Sequence, residues 1–453
     1  MVLKLLEDVE EEVTTILSNL IKIDTTNPPG NETRAAEYLA RILEEDGFEC
    51  EILESAPGRG NIITRLRGSM GKPRLLLLSH LDVVAANPNE WSVPPFSGLI
   101  KDGFVWGRGA IDMKSMTAIE VIVMKLLKRN NVQLRGDVIF AATADEERGG
   151  QAGAGWLVEN HFEKVKAEYV INEGGGQAIP VNGRNIFTVQ TAEKGILWLK
   201  VKSKGTPGHG SIPGVADNAI LRMCHVIEKL GKYRDPIFLT STVKHFLEVM
   251  AKESPHLGLL LKALVENPAN GDEFIDKIAE QDKAFAEELR AMLRMTIAPT
   301  MVRGGIKENI IPSECEAVFD CRILPGQTTF SALSKIKTIL GNVCDMEKLE
   351  FEVIQSNEPS ESPIDTPLYH TITRTLREFD SNCSVTPILL TGGTDSRFFR
   401  KLGAVCYGFH PMVSDLPYGE ILKMIHGVDE RISTRNLIFG TTILYNVVEK
   451  FLK

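Results

Sequence analysis

Seven cysteines are scattered over 453 residues, with no Cys-x-x-Cys pair and an odd total. That excludes a thiolate zinc site and a disulfide framework, and it fits a reducing compartment. No apolar run approaches the ~20 residues that a membrane-spanning helix needs. Met1 to Asn19 carries an acidic amphipathic helix pattern where a secreted protein would carry a leader. The expected location is therefore the cytoplasm, with no membrane partner. Positive charge is short as well: 51 Lys and Arg stand against 60 Asp and Glu, a net charge of −9, which argues against a nucleic-acid partner. There is no internal repeat and no low-complexity tract. Gly174-Gly175-Gly176 and Gly392-Gly393 lack the Gly-x-Gly-x-x-Gly spacing and the Lys-Ser/Thr ending of phosphate-binding loops. What remains is an ordinary globular composition, 43% apolar and 25% charged, on a chain too long for one core.

The most informative stretch is Leu75–Asp82, Leu-Leu-Leu-Leu-Ser-His-Leu-Asp. Four consecutive leucines read as a strand buried on both faces. His80 and Asp82 are two apart, which in a strand turns both side chains the same way. A carboxylate there can hold one ring nitrogen and leave the other for a metal. Upstream, Leu5–Ile23 and Asn31–Glu45 read as helices, the second with Asn31 as N-cap. Trp91 to Asp112 reads as a long loop, Met113–Leu127 as a helix, and Asp137–Thr143 and Tyr169–Ile171 as buried strands. Alternating strands and helices predict an α/β domain with a mostly parallel sheet. Around Ala192 the pattern changes. Ile196–Lys202 and Ala317–Ile323 alternate apolar and polar residues as half-exposed antiparallel strands do. Residues 236–294 are almost all helical periodicity. From about Pro359 the α/β pattern returns. The expected organisation is a discontinuous catalytic domain, residues 1–191 and 354–453, with an inserted α+β domain over residues 192–353.

Metal-competent side chains recur just past the carboxyl ends of the predicted strands, where α/β proteins keep their ligands: His80, Glu146-Glu147 and Glu173. Asp112 closes a glycine-flexed loop. Each has an ordinary explanation alone, Asp112 as a helix N-cap and Glu146-Glu147 as a solvated turn. Together they point to a metal site. Imidazole plus carboxylate without cysteine matches zinc, cobalt or manganese. His410 and His426 both qualify as a second imidazole. His209 sits between glycines in the inserted domain. His161, His225, His245, His256 and His370 lie in helix-like, charged surroundings and are given no role.

Six motifs, Ser-His-Leu-Asp-Val-Val (79–84), Gly-Arg-Gly-Ala-Ile-Asp-Met-Lys (107–114), Ala-Asp-Glu-Glu (144–147), Asn-Glu-Gly (172–174), Gly-His-Gly-Ser (208–211) and Asp-Cys-Arg-Ile-Leu-Pro-Gly (320–326), run over nearly the whole chain. In them the sequence resembles the two-metal peptidases that include glutamate carboxypeptidase, aminoacylase, acetylornithine deacetylase and succinyl-diaminopimelate desuccinylase. Trp91–Gly98, Thr394–Phe399 and Ile425–Ser433 look like the branch of carboxypeptidase S and of the enzymes that hydrolyse and form N-fatty-acyl amino acids. Those relatives enter the secretory route, which the absent leader does not carry over.

The resemblance implies that His80 and Glu173 bind one metal, Glu147 and His426 the other, and that Asp112 bridges them. It favours His426 over His410 and implies a cis peptide at Asp112–Met113. Asp82 would orient His80, Glu146 would be the general base, and His209 would donate to the oxyanion. Arg322 and Asn309 would hold a substrate carboxylate, with Gly393 and Thr394 lining the same pocket. The cofactors would be two divalent ions, zinc expected, with cobalt or manganese as alternatives. The inserted domain would be a lid that mediates dimerisation, although its helical stretch at about 236–294 is longer than in compact dimeric members. The expected function is hydrolysis of the amide bond of an N-acyl amino acid or short peptide with a free carboxylate. Deacylation of a biosynthetic intermediate and a catalytically silent metal-binding protein are the alternatives.

Overall fold

The four leucines are fully buried, and they divide by parity. Leu75 and Leu77 pack with the helices Lys114–Arg129 and Thr434–Leu452 in one core cluster. Leu76 and Leu78 pack with Ile139, Leu157 and Phe399 in another. A period of two on a strand covered on both faces produces this split. The computed structural model describes residues 2–342 and 344–453. The chain forms two compact units. The first comprises the residues up to Thr191, Ser362–Ile388 and those from Thr394 on; the second comprises Ala192–Glu361 and Leu389–Gly393.

In the first unit, strand Pro73–His80 lies parallel between Asp137–Thr143 and Tyr169–Asn172. Val405–Gly408 adds parallel beyond Tyr169–Asn172. Antiparallel strands flank this parallel centre: Gly60–Leu66 and Cys50–Glu54 on one side, Arg184–Glu193 on the other. The four parallel strands end on one edge, and Glu146-Glu147, His80, Glu173 and His410 follow those ends. The Asp112–Met113 peptide is cis.

Two local expectations need correction. The stretch Trp91–Asp112 is not all loop: Leu99–Lys101 and Phe104–Trp106 form a hairpin, extended by Arg431–Ser433. Its turn, Asp102-Gly103, has both φ angles positive, 52° and 77°, which suits an Asp-Gly hairpin turn. Asn182-Gly183 does the same, φ 48° and 75°, between Ala178–Val181 and Arg184–Glu193, a hairpin that the sequence reading passed over. Asn31 is left-handed and makes no capping hydrogen bond; its own amide instead donates to the Glu32 carboxylate at 3.1 Å.

The second unit holds an antiparallel sheet in the order Thr296–Gly304, Glu314–Ile323, Gly195–Lys204, Leu349–Asn357. Leu197, Leu199 and Val201 point into its core with residues of helices Ala219–Gly231 and Thr329–Gly341. The helical stretch resolves into Ser241–Glu253, Gly258–Glu266, Gly271–Ala279 and Lys283–Met292. Lys194 is buried, and its Nζ donates to the carbonyls of Ala291 and Arg294, both at 2.9 Å, where the last of these helices leaves acceptors unpaired. Among the described residues, no helix is long and apolar enough to cross a membrane.

Lys194 carries a pH signature. Burial lowers its ammonium to about 7, whereas an unfolded lysine titrates near ~10.4. Between those values the unfolded chain binds a proton that the folded chain does not, so this residue's contribution to stability rises with pH. Urea unfolding should show the unmodified protein gaining on Lys194→Met between pH 7 and 9.5. A difference that stays constant would mean that the ammonium remains charged in the fold.

Candidate metal centre

The sheet edge and two loops of the first unit bring five ligand-type side chains into two groups that share one member. His80, Asp112 and Glu173 form one; Asp112, Glu147 and His426 form the other, with the facing atoms of each group within 4.8 Å of one another. His80 Nε2 lies 3.1 Å from Asp112 Oδ1 and 3.8 Å from Glu173 Oε2. His426 Nε2 lies 3.1 Å from both Asp112 Oδ2 and Glu147 Oε2. His426 is delivered by a tight turn: its φ is +58°, and a Cβ on Gly427 would sit 1.9 Å from the Lys423 carbonyl oxygen. His410 is in neither group. It is buried, its Nε2 lacks a partner, and burial lowers it to about 4. Asp112 does not cap the helix that follows it; Met113 holds that position, without a side-chain bond.

The strand stops at His80, which changes the part Asp82 plays. The backbone carbonyl of Asp82 meets His80 Nδ1 at 3.0 Å, while the carboxylate is 3.7 Å away. A carbonyl only accepts, so Nδ1 carries a proton and Nε2 is the nitrogen that faces Asp112 and Glu173. The buried Asp82 carboxylate turns instead to the neighbouring loop. It accepts from the amides of Glu146 at 3.0 Å and Glu147 at 3.2 Å, and from Asn27 Nδ2 at 2.8 Å. Asp145, left-handed at φ 72°, makes that loop's turn and is held by Arg59 Nη2 at 2.6 Å. Arg59 also reaches Asn27 Oδ1 at 3.1 Å and the buried Glu32 at 3.2 Å. Asn27, Arg59, Asp145 and Glu430 hold the loops around the candidate site, and the sequence alone assigns them no role. The signals available were the acidic residues inside the quoted motifs, Asp145 in 144–147 and Glu430 in 425–433.

The electrostatics show what the centre is short of. Burial, with repulsion from Asp112, Glu147 and Asp395 working against the pull of His80, pushes Glu173 up to about 8. Burial and the nearby Glu173 raise Glu146 well above the ordinary carboxylate range. Asp395, buried and hydrogen-bonded to Thr143 Oγ1 at 3.1 Å, is raised to about 7, again by burial first. Hydrogen bonds to Asp112 and Glu147 raise His426 to about 10. The imidazoles thus supply the positive charge that the crowded carboxylates require. Glu147 Oε1 is buried with no partner. Imidazole nitrogens, a shared carboxylate and an orphan carboxylate oxygen fit divalent cations.

The remaining expected residues belong to the second unit, except Thr394. His209 and Asn309 sit on and beside two short paired strands, with His209 opposite Ile310, and both are exposed. The Ser211 amide donates to His209 Nδ1 at 3.2 Å, so Nδ1 is the acceptor and the ring's proton is on Nε2. Arg322 is engaged by Asp320 through Nε at 2.8 Å and Nη2 at 3.1 Å. Gly393 is partly exposed. Thr394 is buried in the first unit, its hydroxyl accepting from the Ser396 amide.

Comparison with known proteins matches residues 76–450 to the family described as Peptidase family M20/M25/M40. The N-fatty-acyl-amino acid synthase/hydrolase of Homo sapiens is 30% identical over 382 residues, 83% of this chain and 73% of that protein. A Staphylococcus aureus protein named "Probable succinyl-diaminopimelate desuccinylase" is 28% identical over 391 residues, 86% of this chain and 88% of that protein. Among solved structures, an M20 family metallo-carboxypeptidase from Sulfolobus solfataricus has the same fold, with a TM-score of 0.73 at 18% identity over 97% of this chain and 99% of that one.

The Asp82 clamp is testable through Asp82→Asn. An asparagine turns an N–H toward at least one of the donors that both carboxylate oxygens now accept. Leaving such a group unpaired costs about 1–3 kcal/mol, which urea unfolding should show, together with weaker metal uptake by the folded variant. Unchanged stability and uptake would mean that the 145–148 turn is held without Asp82.

Proposed function

The chain belongs to peptidase family M20/M25/M40 and is a hydrolase, and from that premise we propose that it cleaves the amide bond of N-acyl amino acids or short peptides bearing a free carboxylate, with two divalent metal ions. The observation that carries this reading is the pair of ligand groups sharing Asp112, with Glu146 beside one of their members. The relatives' names support the substrate class, one for N-fatty-acyl amino acids and one for a succinylated amino acid.

His80, Asp112 and Glu173 would hold one ion, and Asp112, Glu147 and His426 the other; zinc is the proposed metal. When bound, such a pair lowers the pKa of a water towards about 7 and offsets negative charge developing on the carbonyl oxygen. Glu146 takes the water's proton and passes it to the leaving nitrogen. The Asp82 carboxylate holds the Glu146 amide, which fixes where that base starts. His209, with its proton on Nε2, donates to the oxyanion. Arg322 and Asn309 hold the substrate carboxylate, with Gly393 and Thr394 lining that pocket. Asp320 fixes the plane of the guanidinium, and a planar fork is what a carboxylate meets with two parallel bonds.

The second unit, as the lid, is also proposed to mediate self-association, which light scattering would measure. Its support is the sheet-edge strand Thr296–Gly304, where Met301 and Val302 are exposed. A cytoplasmic location is part of the same reading, supported by seven free cysteines.

Neighbouring glutamates separate the roles. Glu146→Ala should keep both metals and lose ~10²–10⁴-fold in turnover, whereas Glu147→Ala should lose metal, as elemental analysis would show. The reverse outcome overturns the assignment. A panel of N-acyl amino acids and dipeptides, with amidated counterparts, tests the substrate class. Arg322→Lys should lower kcat/KM at least about tenfold on free acids and little on amides. Equal cleavage of amides and free acids by the unmodified enzyme would make it a general amidase. Activity confined to one succinylated or acetylated intermediate would make it a biosynthetic deacylase.

A further inference from the structure

Glu430 is fully buried, and its carboxylate is surrounded by donors from one distant loop. Oε1 accepts from the amides of Ile111 at 2.7 Å and Asp112 at 3.0 Å. Oε2 accepts from the Gly109 amide at 3.0 Å and from Arg108 Nη1 at 2.8 Å. Two of these donors come from Asp112 itself and the residue before it, so the carboxylate grips the backbone of the residue whose side chain lies between His80 and His426.

The connection runs the other way as well. Arg108 Nη2 donates to the carbonyl of Gly427, next to His426, at 2.7 Å, and the Gly107 amide donates to the Glu430 carbonyl at 2.8 Å. Arg108 is buried, with its guanidinium carbon 5.1 Å from the centroid of the Trp91 ring. The next residue, Ser92, fastens Asp429 through its amide at 2.7 Å and its hydroxyl at 2.6 Å. Residues 427, 429 and 430 are therefore tied to residues 91–112 by a closed set of bonds. His426, at the head of one segment, and Asp112, at the end of the other, are delivered together.

We propose that Glu430 is a positioning residue that locks the Asp112 loop to the His426 segment, so that both metal sites depend on it although it belongs to neither. The proposal rests on the two-metal reading above. It separates two kinds of damage. Loss of His426 removes a ligand from one group only. Loss of the Glu430 carboxylate loosens Asp112, which both groups share. A glutamine in its place has one acceptor oxygen where the carboxylate has two, so its amide nitrogen must face either the Ile111 and Asp112 amides or Gly109 and Arg108. Replacing a group that orients a metal ligand typically costs ~10–100-fold in metal affinity.

The test uses the full chain stripped of metal and titrated with Mn²⁺ alone, in competition with a chelator, together with electron paramagnetic resonance of the loaded protein. The unmodified chain should take two ions that show magnetic coupling. His426→Ala should take one ion, with the affinity of the His80 site changed less than about threefold. Glu430→Gln should fold, lose at least about tenfold in affinity at both sites, and lose the coupled signal. Arg108→Lys cannot reach Glu430 and Gly427 together; it should shift both sites in the same direction by a smaller factor, and it carries the test if Glu430→Gln does not fold. Normal affinity at both sites in a folded Glu430→Gln protein with only a lowered Tm, or loss confined to the His426 site, overturns the proposal while leaving the two-metal reading intact. Fewer than two ions in the unmodified chain overturns that reading and this inference with it.

Discussion

The Asp112 carboxylate gives one oxygen to His80 and the other to His426, each at 3.1 Å, with Glu147 and Glu173 close behind. Packing this many carboxylates together is unfavourable unless positive charge is supplied, because each buried anion raises the cost of the next. Burial would raise Asp112, but its bonds to the two imidazoles hold it below the ordinary carboxylate range. Glu146, Glu173 and Asp395 pay the difference by moving up. An arrangement so unfavourable in itself persists only if the backbone around it is held rigidly from outside.

The scaffold meets that need by fixing amides more than by packing side chains. Asp82 fastens the Glu146–Glu147 turn, and Glu430 fastens the Asp112 loop. A second layer of hydrogen bonds through Asn27, Arg59 and Asp145, one of them the Arg59–Asp145 ion pair, holds the first clamp in place. The Asp82 and Glu430 carboxylates each accept from at least two backbone N–H groups and from one side chain, Asn27 on Asp82 and Arg108 on Glu430, which fixes their geometry. A backbone amide does similar work in the second unit, where Ser211 N–H donates to His209 Nδ1 and so places the ring's proton on Nε2.

Much of the centre was legible because strand ends and motif spacing are local properties of a sequence. His80, Glu146-Glu147 and Glu173 announce themselves by following apolar runs, and the motifs bring in Asp112 and His426. The supports were not legible for the opposite reason. Glu430 acts on an amide 321 residues away, and Asn27 acts on Asp145, 118 residues away; no periodicity connects them. Asp82 meets His80 differently from what the spacing implies, through its backbone carbonyl at 3.0 Å with the carboxylate at 3.7 Å. A spacing of two implies a shared face only while the strand continues, and this strand stops at His80. The missed hairpins, by contrast, were readable: Asp102-Gly103 and Asn182-Gly183 are both strong turn dipeptides overlooked inside stretches read as loop or boundary.

The placement of strand Val405–Gly408 between Tyr169–Asn172 and Arg184–Glu193 has a consequence for how the protein is made. A ribosome delivers Tyr169–Asn172 long before residues 405–408, and until those arrive one side of that strand has no neighbour. The half-made sheet exposes an open edge throughout synthesis of the second unit, the situation in which nascent chains pair with one another. His426 and helix Thr434–Leu452, which shares a core cluster with Leu75 and Leu77, emerge later still. Translation must therefore pass residue 426 before the candidate metal ligands can assemble, and a chain released earlier would carry His80, Asp112, Glu147 and Glu173 on an unfinished, adhesive sheet.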